Sequence, residues 1–113
     1  MRAIWVNSKD QTVTEVDCVG LEDLQNRVGG FIEMAYQWPN QDVLFVDEEG
    51  LLKGDFKFCF LLLERTDQPF IGNGIIIGTG RNGETRPAKH TWEQIKSKII
   101  FGTVTFDGTG VFK

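Results

Sequence analysis

The chain has 113 residues, a formal net charge of -4 and a pI near 4.9, with 41% hydrophobic and 25% charged residues. This balance excludes the polar, highly charged composition of a disordered chain. A domain of this length buries roughly two-thirds of its unfolded surface, enough for one core without staples, so a single domain over residues 1–113 is expected.

The longest apolar run, Phe58 to Leu63, is about a third of a membrane-spanning helix, and "MRAIWVNSKD" lacks the apolar stretch of a signal peptide. The expected location is therefore the cytoplasm. Cys18 and Cys59 are isolated, without C-x-x-C spacing, and both fall in apolar patterns, so reduced, buried thiols are expected. The charge is uneven along the chain: residues 1–55 carry eleven acids and four bases, whereas 56–113 carry eight bases and five acids.

In chain order, "AIWV", "NSKDQ" and "TVTEVDC" read as strand, polar turn and strand. In the second arm, alternation leaves the core face open between the two sides, and the side with Val16 and Cys18 is favoured. "GLEDLQNRVGG" places Leu21, Leu24 and Val28 on one helical stripe with Glu22 and Asp23 in the first turn, and Gly29 supplies a left-handed stop. "FIEMAYQW" follows as a strand and "PNQD" as a turn. "DVLFVDEEGLLKG" then reads as a strand, a charged turn at Asp47 to Gly50, and a short return strand. "FKFCFLLL" leans to strand by its aromatic content, although a buried helical turn has the same pattern.

Ile75 to Ile77 form a glycine-bracketed strand, and a polar loop is expected from Thr79 to His90. "TWEQIKSKII" has a capping-box spacing, Thr91 with Gln94, ahead of an apolar stripe of Trp92, Ile95 and Ile99. The tail "TVTFDGTGVFK" carries a D-G turn, which predicts a closing hairpin or one added strand. An exposed "TVTF" edge there would allow a homodimer. The fold class expected is α+β, with a mixed, mostly antiparallel sheet and two short helices packed on one face.

The glycines of "PFIGNGIIIGTGRNG" fit neither phosphate-binding fingerprint. The third glycine of G-x-G-x-x-G would fall at Ile77, β-branched residues follow Gly74 where a helix should start, and no lysine lies between Lys57 and Lys89. They are read as sheet architecture, the alternative being that Gly78 to Gly83 with Arg81 and Arg86 frame an anionic ligand. His90 is the only histidine, so neither a zinc site nor a histidine-based triad has support, and the two serines lie in no nucleophile motif. No metal or other cofactor is expected, and no competent catalytic set is present.

Two regions remain as binding candidates. Asp42, Asp47, Glu48, Glu49 and Asp55 cluster along the expected hairpin and would present negative charge to a basic partner. Arg81, Arg86, Lys89, His90 and Trp92 gather cations and an aromatic beside a helix start, the ingredients of a nucleotide site. The overall acidity argues against direct binding of duplex DNA.

The order of "AIWVNSKDQTVTEVD", "LEDLQNRVGGFIE", "VLFVDEEGLLKG", "PFIGNGIIIGTG" and "TWEQIKSKI" resembles a small domain-of-unknown-function family found in phages, plasmids and other mobile elements. The similarity runs over about residues 2–100 and rests on the L-x-x-L-Q-x-x-V-G-G-x-I-E unit from Leu21 to Glu33, the hairpin from Val46 to Gly54 and the strand from Ile71 to Gly78. "DFKFCFLLL" departs from the family, many of whose members carry a proline and asparagine segment and a short helix there. The tail from Gly102 extends past the usual ending. The resemblance implies no catalytic residues. By analogy of context it implies a non-enzymatic accessory protein that binds a host protein, such as an anti-defence inhibitor of a nuclease. The alternative is a small-ligand protein that sequesters a nucleotide through Arg81, Arg86, Lys89 and Trp92.

Overall fold

A computed structural model describes residues 1–48, 56–105 and 110–112. Among them, strands β1 (Arg2–Asn7) and β2 (Thr12–Asp17) form the opening hairpin, followed by α1 (Gly20–Val28), β3 (Ile32–Gln37) and β4 (Asp42–Asp47). Next come β5 (Phe56–Leu62), β6 (Arg65–Ile71), β7 (Gly74–Thr79), β8 (Thr85–Arg86), α2 (Trp92–Lys96), β9 (Ile99–Thr105) and β10 (Gly110–Phe112). One sheet has the order β2-β1-β7-β4-β3 with β8 attached to the end of β7; the other has the order β10-β9-β5-β6. Every strand pair among the described residues is antiparallel, so the parallel element of the expected mixed sheet is not found there.

The aliphatic triplet occupies the centre of the larger sheet. Strand side chains alternate between faces, and a strand covered on both sides needs no polar face. Ile76 faces a core shared with Ile4, Val6, Leu44 and Val46, while Ile75 and Ile77 face the opposite core with Ala3, Cys18, Leu24 and Val28. The first core also takes Phe60, Leu62 and Phe70 from the smaller sheet, so the two sheets pack face to face. Gly74 is required at their closest approach, because a Cβ there would come within 2.9 Å of both Leu44 Cδ1 and Phe60 Cζ.

The α+β class with two short helices is as the sequence indicates, but the helices do not share a face. Leu24 and Val28 anchor α1 on one side of the larger sheet, and Ile95 anchors α2 on the other. The divided core also resolves the open reading of β2: Val13 serves the inter-sheet core, and Val16 and Cys18 serve the α1 side. Gly29 stops α1 in the left-handed region with φ 92°, as expected. Leu21, on the same stripe by spacing, is 58% exposed, so the first turn overhangs the sheet. The capping box of Thr91 and Gln94 is formed, but α2 ends at Lys96. Ile99 belongs to β9, where it pairs with Leu62, and a two-turn stripe from Trp92 to Ile99 is not made.

Two further differences concern the second half. Residues 65–71 form β6, an element for which "RTDQPFI" has little apolar alternation; its edge position leaves one side in solvent and tolerates Pro69. The closing hairpin β9–β10 is present, yet β9 lies between β5 and β10. Thr103 pairs with both Phe58 and Val111, so the edge expected at "TVTF" is interior there. The expected charged turn and return strand after Asp47, and the D-G turn, fall outside the described residues. No helix among the described residues is long and apolar enough to cross a membrane.

Cys18 and Cys59 are buried and unpaired in separate clusters. Burial pushes the Cys59 thiol up to about 11 from the ordinary 9.0. A raised folded-state value stabilises the fold fully below pH 9 and is lost as pH rises toward 11, because only the unfolded chain releases the proton in that window. The unfolding free energy should fall by on the order of 2 kcal/mol across it, and Cys59→Ala should flatten that slope in denaturant melts at stepped pH. In the same assay at pH 7, Phe60→Ala should cost about 3–5 kcal/mol, whereas Leu21→Ala should stay within about 0.5 kcal/mol.

Candidate functional site

The start of β4 is built around one carboxylate. The turn before it places Gln41 at φ 77°, with Trp38 N–H donating to Asp42 O at 2.9 Å and Asp42 N–H donating to Asn40 Oδ1 at 2.9 Å. Asp42 has no solvent exposure. Its oxygens accept the backbone N–H of Lys89 at 2.9 and 3.0 Å and that of His90 at 2.8 Å, and His90 Nδ1 lies 2.7 Å from Oδ2. A carboxylate only accepts, so the ring nitrogen is the donor. The segment is also tied to β1: Ala88 N–H donates to Arg2 O at 3.0 Å, and the Arg2 guanidinium donates to the carbonyls of Ala88 and His90. Residues 88–90 therefore form a strap fixed at both sides.

Opposite the strap, β7 ends over the same turn. Thr79 donates to Gln41 O through its N–H at 3.0 Å and its hydroxyl at 2.9 Å. The chain then reverses through Gly80 to Gly83, with Gly83 N–H donating to Gly80 O at 3.0 Å and Gly83 at φ 79°. Glu84 accepts from Arg86 at 2.8 Å, and this bond holds its carboxyl below the usual carboxylate range. Gly80 makes room for that pair, since a Cβ would fall 2.0 Å from Glu84 Oε1.

The result is a cleft of about 520 Å³ lined by Gln41, Thr79, Gly80, Arg81, Arg86 and Lys89. That volume lies in the small-molecule range. Among the described residues no acid is part of this lining, although Glu84 is bonded to Arg86 at 2.8 Å. Lys89 Nζ donates to Asn40 O at 2.7 Å, and Arg81 is exposed and makes no ion pair or side-chain hydrogen bond among the described residues.

Three of the five residues of the basic group, Arg81, Arg86 and Lys89, thus meet in one cleft. His90 does not join them, because its ring bonds Asp42 and packs on Trp38 at 5.1 Å between centroids. Trp92 lines a different groove of about 310 Å³ with Lys96 and β2. The acidic group is dispersed. Asp42 is buried and presents no charge, which corrects its place among surface acids. Asp47 and Glu48 line a notch of about 60 Å³ together with Glu33. Glu49 and Asp55 lie outside the described residues. Thr79 and Gly80 fall within the Gly78 to Gly83 loop that the sequence offers as a frame for an anion, whereas sequence reasoning missed Gln41 as a lining residue and Asp42 as a staple. The adjacency of "PNQD" to a strand was the available signal for Asp42, and nothing local marks Gln41. Among the described residues no group of three His, Cys, Asp or Glu is placed to hold a metal ion.

All the lining residues and the strap fall within residues 1–100, the range matched by a family model described as Domain of unknown function (DUF3846). The chain belongs to that family. No curated protein and no solved structure matches it. The DUF3846 match ends just after β9 begins, so most of β9 and all of β10 lie beyond the family model.

Removing the staple should be costly, because it leaves the N–H groups of Lys89 and His90 without acceptors. Asp42→Ala should lower stability by on the order of 3 kcal/mol in urea melts, whereas Glu48→Ala should change it by less than about 0.5 kcal/mol.

Proposed function

We propose that the protein is a non-enzymatic binder of a small phosphate-bearing ligand, a nucleotide or a related phosphate ester, which it holds in the cleft of Arg81, Arg86 and Lys89. The observation that carries this reading is the convergence of three cations, only one of them paired with an acid, Arg86 with Glu84, on one cleft of about 520 Å³ in a chain of net charge -4. A positive concavity within an acidic molecule focuses the local field on an anion and lets the rest of the surface repel it. Each charge-assisted hydrogen bond to a phosphate is stronger than a neutral one, and the arginine fork suits phosphate oxygens.

A second reading is docking of a basic host protein on the acidic end of β4, as an accessory or anti-defence protein of a phage or mobile element would do. It draws support from Glu33, Asp47 and Glu48 lining one notch. It is the weaker reading because Asp42 is withdrawn into the core and the notch holds only about 60 Å³.

Isothermal titration with adenine and guanine nucleotides tests the first reading. Arg81→Ala combined with Arg86→Ala should weaken binding by more than about tenfold, a loss of about 1.4 kcal/mol or more, while leaving the far-ultraviolet spectrum unchanged. Equal affinity in the double variant would reject this cleft as the site.

A further inference from the structure

We propose, resting on the ligand-binding reading, that the cleft recognises its ligand through a chain of phosphates and is indifferent to the base. The neutral side chains of the cleft are few and partly engaged: Gln41 Oε1 accepts from Gln37 Nε2 at 3.2 Å, and the Thr79 hydroxyl donates to Gln41 O at 2.9 Å, which leaves the Gln41 amide donors and the hydroxyl lone pairs. Most of the free capacity is cationic. Arg81 offers all five N–H groups, Arg86 those not used by Glu84, and Lys89 those not used by Asn40. A purine or pyrimidine edge could be read only by Gln41 and Thr79, whereas all three cations suit an anion. A phosphate chain brings acceptors alone and negative charge with them.

Stacking leads to the same conclusion. Bases held without edge readout are held on aromatic faces. No aromatic residue lines this cleft: Trp92 lies in the other groove and His90 is turned onto Trp38. The three cations come from three short segments, the 80–83 turn, β8 and the strap, and so surround the cleft from different sides. A single phosphate would engage one or two of them, whereas a di- or triphosphate can engage all three.

Titration calorimetry at fixed ionic strength in EDTA, using adenosine, AMP, ADP, ATP, GTP, CTP and inorganic tripolyphosphate, tests this. Affinity should rise about fivefold or more with each added phosphate, the three triphosphates and tripolyphosphate should agree within about threefold, and adenosine should not bind. Arg81→Ala should weaken tripolyphosphate at least about fivefold, and because Arg81 is exposed and makes no ion pair or side-chain hydrogen bond among the described residues the variant should stay folded; Lys96→Ala, outside the cleft, should change nothing. A preference above about tenfold for one base, with tripolyphosphate silent, would overturn the phosphate-only reading and leave a nucleotide site standing. Failure of every anion to bind would overturn both.

Discussion

Asp42 sits without solvent exposure at the first position of β4 and accepts two backbone N–H groups and a ring nitrogen from residues 89 and 90. A buried carboxylate is tolerated only when its lone pairs are filled, and the strap fills them. In return the strap has a fixed position, which matters because it carries Lys89 to one side of the cleft. The other side is fixed differently, by the pairing of β7 with β8 and by the two bonds from Thr79 to Gln41. The cleft is thus the gap between two backbone segments that the same turn, Trp38 to Asp42, holds apart.

The sheets provide the rigidity that such a gap requires. β7 is buried on both faces and pairs with β4 from Gly74 to Gly78 and with β1 from Gly74 to Ile76, so its end at Thr79 continues from an enclosed strand. Sites mounted on the ends of packed strands move less than sites carried by loops alone. Arg81 is the exception, exposed and unpaired at the tip of the 80–83 turn. It is a side chain able to reach over an anion after the fixed cations have received it.

Much of this was readable from the chain. Turn formers between β-branched runs marked the strands, Gly29 marked the end of α1, and Thr91 with Gln94 marked the start of α2, because each depends on a local conformational preference. The basic residues between Arg81 and Lys89 were also visible as a group, since they lie close together in sequence. Properties that depend on distant partners were not readable. Alternation could not say that both faces of β2 would be covered, nor that the helices would lie on opposite faces. The charge of Asp42 looked like surface charge because the N–H groups that donate to it lie 47 and 48 residues away. Trp92 and His90 stood beside the cations in sequence, but the helix start turned one toward β2 and the staple turned the other toward Trp38.

The most direct measurement is a backbone-resolved heteronuclear NMR titration of the full chain with pyrophosphate. The account predicts saturable shifts centred on Gln41, Thr79, Gly80, Arg81, Arg86 and Lys89, with the residues around Trp92 and the end of β4 unmoved. Shifts centred elsewhere, or none at millimolar ligand, would contradict it.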